Sequence, residues 1–245
     1  MSEKRFFIQM PLEINQTVLL KDEYFNYIVN VMRLKEGTSI IINNNTEYDF
    51  LCKITEVNKK TLTLLVLNKT INENESKIST TLCQALVKAE KTELITQKIV
   101  ELGLNKLIPF TSEFTVVKDN TQKLERLNKI SEQASSQCGR SKTLQVAPIT
   151  TLKNLPQLLK EYDLVLLAYE KATKPLKEVL NSFLNLKNVA LIVGSEGGFS
   201  ETEVSYLQNE LKNLKVVSLG NRILRAETAG IVLSAITMYE LGELS

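Results

Sequence analysis

Val189-Ala190-Leu191-Ile192-Val193-Gly194-Ser195-Glu196-Gly197-Gly198-Phe199-Ser200-Glu201-Thr202-Glu203 is the stretch that decides the fold class. Its apolar run, Val189 to Val193, is too short for an ordinary helix and shows no polar alternation, which fits a strand covered on both faces. The glycines that follow make a turn. Ser200-Glu201-Thr202-Glu203 is then a capping box opening a helix to about Lys212, a start signal worth ~1 kcal/mol. Outward from this βα unit, further short apolar runs (Thr80-Leu86, Lys106-Phe110, Leu164-Tyr169, Val216-Leu219) alternate with helical stretches. That is the rhythm of a parallel sheet with helices on both faces. The helix predicted over 122–138 is well marked, with Leu124, Leu127, Ile130, Ala134 and Cys138 at steps of three and four.

Upstream the pattern changes to strands: Arg5-Ile8, Thr17-Leu20, Ser39-Asn43, Tyr48-Ile54 and Thr61-Leu67, with turn chemistry at Asn43-Asn44-Asn45 and Asn58-Lys59-Lys60. One helix interrupts them, carried by Tyr24, Ile28, Val31 and Met32, with Asp22 as cap and Gly37 as stop. These elements predict a small β-barrel. The polar run Asn68 to Lys77 reads as a linker, so the expected domains are 1–72 and 73–245.

Composition removes several chemistries. The 245 residues include no histidine, which excludes Ser/His/Asp and Cys/His nucleophile systems and the commonest metal ligand. Cys52, Cys83 and Cys138 are far apart; they supply neither a zinc site nor a disulfide framework, so no metal is expected and a reducing compartment fits. Thirty basic against 28 acidic residues leave a charge of +2, so any RNA contact must be a local patch. One candidate patch lies in 118–142, where Lys118, Lys123, Arg126, Lys129, Arg140 and Lys142 outnumber the acidic residues. The N-terminal stretch has no signal-type apolar core of roughly 7–15 residues, and there is no ~20-residue membrane span. The expected location is cytoplasmic.

Two loops at strand ends carry the chemistry. Gly194-Ser195-Glu196-Gly197-Gly198 follows a buried strand, where ligands of open α/β sheets bind and where glycines let the backbone approach a ligand. It is neither a P-loop nor a dinucleotide fingerprint; the plain alternative is a strand-to-helix turn. Leu219-Gly220-Asn221-Arg222-Ile223-Leu224-Arg225-Ala226-Glu227-Thr228-Ala229 sits between a strand and a closing helix. Its arginines either grip an anion or, for Arg225 and Glu227, pair within the loop.

With these loops, Tyr27-Ile28-Val29-Asn30-Val31-Met32-Arg33-Leu34, Lys88-Ala89-Glu90-Lys91-Thr92-Glu93, Gln97 to Gly103 and Glu132-Gln133-Ala134 with Gln137 and Arg140, the chain resembles the 16S ribosomal RNA uridine-N3-methyltransferase family of the SPOUT (α/β-knot) class. Ser195 stands where that family usually has proline, and Tyr27 where it usually has histidine. The resemblance implies a PUA-like β-barrel over 1–72, an α/β domain with a deep trefoil-type knot over 73–245, and a homodimer acting on ribosomal RNA of the small subunit. It implies S-adenosylmethionine bound by Leu167, Ala168, Gly194, Glu196, Gly197, Gly198, Ser218, Leu219, Gly220, Ile223, Leu224, Arg225 and Ala229. Arg225 is then the donor that stabilises the uracil anion, and Glu196 or Glu227 either takes the proton or holds Arg225 and the loop amides. RNA contacts are expected from Arg5, Arg33, Lys88, Lys91, Arg140 and Arg222. The competing readings are a related methyltransferase acting on another RNA position or a ribose oxygen, and a non-catalytic RNA-binding assembly factor.

Overall fold

The computed structural model describes residues 3–116 and 122–244. Lys118 and the side chain of Lys123 from the basic stretch lie outside the described residues. The chain divides into two compact units, Met1–Glu75 with Ser135–Thr143, and Ser76–Ala134 with Leu144–Ser245.

The first unit is built on β1 (Lys4–Phe7), β2 (Thr17–Lys21), β3 (Ser39–Asn43), β4 (Tyr48–Val57) and β5 (Thr61–Ile71). They form one sheet in the order β1-β3-β4-β5-β2, with β1 parallel to β3 and the other neighbours antiparallel. Alternation explains the core: Leu62, Leu64 and Val66 of β5 point inward with Phe50, Cys52 and Ile54 of β4 and Ile40 and Ile42 of β3. Two expectations are corrected. Asn68 to Ile71 are not linker but the end of β5, since β4 is long enough to pair Tyr48 with Ile71, and backbone pairing overrides their polar composition. The single helix starts as α1 (Asp22–Phe25) and continues as a π-helix over Asn26–Val31. Asp22 does not cap it but adopts φ 51. The extra residue per turn takes Val31 off the buried face and leaves it exposed, while Ile28 stays in the core.

A polar cluster ties the rest of this unit together. Arg5 grips Asp49 through its two terminal guanidinium nitrogens, and Asn43 and Asn72 also donate to that carboxylate. Burial raises the Asp49 pKa, but these donors, Arg5 first, outweigh it and hold the carboxyl below its ordinary range. Glu75 ties down the returning segment: it accepts the backbone N–H groups of Ser141 and Lys142 at 2.9 Å and pairs with Arg140 at 2.9 Å. These contacts place Ser135–Thr143, although remote in sequence, with the first unit.

The second unit is a parallel sheet covered on both faces. Its elements are β6 (Ser79–Ala85), α2 (Ala89–Glu101), β7 (Lys106–Thr111), α3 (Gln122–Cys138, ending in the first unit's segment), β8 (Gln145–Val146), β9 (Thr150–Thr151), α4 (Leu155–Leu159), β10 (Leu164–Ala168), α5 (Leu176–Leu180), β11 (Asn188–Val193), α6 (Glu201–Glu210), β12 (Leu214–Val217) and α7 (Ala226–Glu240). The order is β12-β10-β11-β6-β7-β8, with β9 also on β7. The central strands β6, β10 and β11 are buried almost throughout, as the continuous apolar runs predict. The predicted helix over 122–138 forms with those bounds. β10, β11 and β12 are neighbours, so the loops after them emerge side by side at one end of the sheet.

Candidate active site

The turn after β11 is held from several sides. Gly194 O accepts a bond from buried Gln84 of β6 at 3.1 Å, and Ser195 Oγ donates to Phe114 O at 3.1 Å. Gly198 closes the turn onto Ser195 O at 3.0 Å with φ +70, where glycine is favoured. A Cβ on Gly197 would stand 2.6 Å from Cβ of Phe114, so the turn requires glycine there for space. The capping box forms in full: Ser200 Oγ accepts from Glu203 N, and Glu203 accepts from Ser200 N.

The segment after β12 is looser. Ser218 N bonds Lys174 O at 2.8 Å and Gly220 N bonds Ser218 Oγ at 3.2 Å, after which the chain swings out to Ile223, 81% exposed. Arg225 caps α7 with its backbone, its carbonyl accepting from Ala229 N at 2.8 Å. With the residues after β10, the two loops enclose a cavity of about 740 Å³.

Most of the predicted cofactor positions come together on that wall: Ala168, Gly194, Glu196, Gly197, Gly198, Ser218, Leu219, Gly220, Ile223, Leu224, Arg225 and Ala229 all line it, joined by Arg222. Leu167 does not; its side chain is packed in the sheet core beneath, because a strand alternates faces. Glu227 is also off the wall.

Electrostatics explain where the second carboxylate went. Lys91, near the start of α2, donates to Glu196 Oε1 at 3.1 Å and lies 3.2 Å from Glu227 Oε2, an ionic contact without hydrogen-bond alignment. The Lys91 side chain is 17% exposed and that of Glu227 16%. Burial pushes the Glu196 carboxyl up, but its own backbone N–H and the Lys91 ammonium outweigh this and hold it below its ordinary value. Glu196 and then Glu227 push Lys91 above its ordinary value. The Arg225–Glu227 loop pair is therefore replaced by a lysine bridge, and Arg222 and Arg225 are exposed with no ion pair among the described residues.

Three of the residues expected at the RNA carry ion pairs within the chain. Arg5 is committed to Asp49, Lys91 to the two glutamates, and Arg140, 2% exposed, to Glu75. Arg33, Lys88 and Arg222 remain at the surface. Sequence reading missed Gln84, Phe114 and Glu170. Of these, Glu170 had a signal: it is a charged residue directly after the strand-end pair Ala168-Tyr169.

A family model for an RNA methyltransferase domain matches residues 74–238, and one for an RNA methyltransferase PUA domain matches residues 20–67. The ribosomal RNA small subunit methyltransferase E of Bacillus subtilis (strain 168) is 32% identical, over 96% of each chain. The protein of the same name from Buchnera aphidicola subsp. Schizaphis graminum is 33% identical over 98% of each. A crystal structure of the Neisseria gonorrhoeae protein of that name, bound to S-adenosyl methionine, superposes with a TM-score of 0.89 at 26% identity, covering 97% of this chain and 98% of that one.

Proposed function

We propose that this chain, which belongs to the ribosomal RNA small subunit methyltransferase E family, transfers a methyl group from S-adenosylmethionine to the N3 nitrogen of a uridine in 16S ribosomal RNA. The observation that carries the reading is the cavity where loops from three neighbouring strand ends meet, walled by glycine backbone and flanked by two unpaired guanidinium groups. The cavity suits the cofactor: a Cβ on Gly220 would meet nothing within 4 Å, and the hydroxyl of Tyr169 on the wall is buried with no hydrogen-bond partner among the described residues.

When bound, S-adenosylmethionine supplies an electrophilic methyl on its sulfonium sulfur. What remains for the protein is alignment, which by itself can contribute ~7–11 kcal/mol. The imide N–H of uracil must also lose its proton, and the resulting anion spreads over two carbonyl oxygens. We assign Arg225 as the donor facing those oxygens, because it stands unpaired on the cavity wall. Arg222, exposed beside it, suits a backbone phosphate. Of the two carboxylates, Glu196 borders the cavity and Glu227 does not, so we assign proton acceptance to Glu196, directly or through water. Lys91 holds Glu196 in place at the cavity edge; Glu227 anchors Lys91 from behind.

The same reading assigns RNA grip to a PUA-like domain over 1–72, with Arg33 as a contact, and adds Lys88 from the methyltransferase domain over 73–245. It includes the α/β knot. In support, β12 pairs with β10 at the sheet edge, yet α7, directly after the Ser218 to Arg225 loop, packs on β6, β11 and α2. It also includes a homodimer, in keeping with exposed Ile223 and with Tyr239 of α7. Mass mapping of 16S ribosomal RNA from cells lacking the protein tests the whole: one 3-methyluridine should disappear and return on complementation. Loss of a ribose methyl, or an unmethylated phenotype limited to assembly, would overturn it.

A further inference from the structure

Four charged side chains line the cavity: Glu170, Glu196, Arg222 and Arg225. Glu196 is engaged by Lys91. Glu170, exposed, has no hydrogen bond or ion pair among the described residues; the neighbouring Lys171 feels its charge but pairs with Glu201 at 2.7 Å. It lies beside the glycine turn. A Cβ built on Gly198 would lie 3.4 Å from both Oε1 and Oε2 of Glu170, so the carboxylate stands directly over the backbone that forms the cavity wall. The preceding Tyr169 lines the same wall with an unpartnered hydroxyl.

We propose that Glu170 is a cofactor-selecting residue, its carboxylate binding a positive centre of S-adenosylmethionine, the ammonium or the sulfonium. This rests on the reading of the cavity as the cofactor site. The chemistry is that of an exposed anion at the edge of a cavity, without an ion pair among the described residues, which a bound ligand would cover and dry. Displacing water raises the effective strength of an opposite charge, and an anion left unmatched would lose solvation for nothing. A cationic ligand therefore gains where a neutral analogue does not. The glycine at 198 is part of the device, since a side chain there would compete with the ligand for the face of the carboxylate.

The test is calorimetry on the full chain with S-adenosylmethionine and with S-adenosylhomocysteine, which keeps the ammonium but lacks the sulfonium. Glu170→Gln should weaken S-adenosylmethionine binding by about tenfold, the scale of one hydrogen bond to a charged group at an open site, and the loss should shrink at high salt. Glu170→Asp, which keeps the charge, should retain most of the affinity. An equal loss for both ligands identifies the ammonium; a loss confined to S-adenosylmethionine identifies the sulfonium. If wild type binds and the Gln variant binds as well, the inference falls while the cofactor site stands. If wild type binds neither ligand, the reading of the cavity falls with it.

Discussion

The two glycine loops that face each other across the cavity are built on opposite plans. Around Gly194 to Gly198 the turn is held by side chains: Phe114 fills the space beside Gly197, Gln84 holds Gly194 O, Ser195 reaches Phe114 O and Lys91 holds Glu196. Around Ser218 to Arg225 there is little but backbone: Gly220, at φ +110, has nothing within 4 Å of its missing Cβ, and Ile223 is exposed. The first loop is preset. The second has room to settle on a ligand. If the cavity takes the cofactor as proposed, preorganisation suits the face that recognises it, and adaptability suits a side that must also admit RNA.

The largest effect expected from this division is on the loose side, at Arg225. If its guanidinium stabilises the uracil anion, Arg225→Ala lowers the methylation rate by roughly 10²–10³ fold, the scale of losing one oxyanion-type donor, with cofactor affinity nearly unchanged. Lysine rescues in part, since an ammonium lacks the planar fork. Single-turnover rates beside cofactor titrations check this. A defect confined to cofactor affinity would move Arg225 from the chemistry to the cofactor.

The next contrast sets glycine against glycine. Gly197→Val drives a side chain into Phe114, and overpacking of this kind costs about 1–3 kcal/mol, with cofactor affinity falling more than tenfold as the turn shifts. Gly220→Ala meets only the backbone strain of a left-handed φ, about 1 kcal/mol, and its cofactor affinity should stay within a few fold. Thermal melts and cofactor titration on the two variants suffice; equal losses would erase the distinction between preset and adaptable loops.

What the sequence made legible follows the same line. Signals that act within a few residues were readable: the β11 run, the capping box at Ser200 and Glu203, and the helix over 122–138. What depended on distant partners was not. Nothing local to Arg140 says that Glu75 will take it inside, and nothing local to Lys91 announces two glutamates more than 100 positions away. The π-helix escaped for a different reason: Ile28 and Met32 satisfy an α spacing on paper, and one inserted residue per turn changes only which of their neighbours is exposed. Most of the expected cofactor positions share the cavity wall, glycines at strand ends being a local signal, whereas Leu167 lies in the sheet core, one step of strand alternation away.

The Lys91 bridge gives a smaller effect with a defined pH window. Glu196 has a folded pKa below its ordinary 4.5, so its contribution is present above that value and is lost as pH falls through the folded pKa. Lys91 is raised above its ordinary 10.5, so its contribution is present below that value and is lost as pH rises through the folded pKa. Between about pH 5 and 10 the bridge is constant. Any rise of the methylation rate between pH 7 and 9 should therefore come from the uracil imide. Lys91→Met should leave that slope in place while lowering the rate severalfold through a misplaced Glu196. A slope abolished in Lys91→Met would show that this group titrates in the working range.

The smallest effect should come from Ser195, and it asks what replaced proline. The resembled family usually holds its turn here with a ring that fixes φ. This chain holds it with a hydroxyl bonded to Phe114 O, on a residue that is itself buried. Ser195→Ala removes that bond and leaves the carbonyl unmet, a loss of about 0.5–1.5 kcal/mol, which for a unit of this size lowers the melting temperature by roughly 2–4 °C per kcal/mol. Ser195→Pro removes the same bond but also restricts the unfolded chain, a gain of about 0.4–1 kcal/mol. The two terms nearly cancel, so the proline variant should melt close to wild type and above the alanine variant, with cofactor affinity retained. A proline variant that melts below alanine would mean that the hydroxyl has drawn the turn into a backbone conformation the ring cannot adopt, and that the preset loop is preset differently here from the family it resembles.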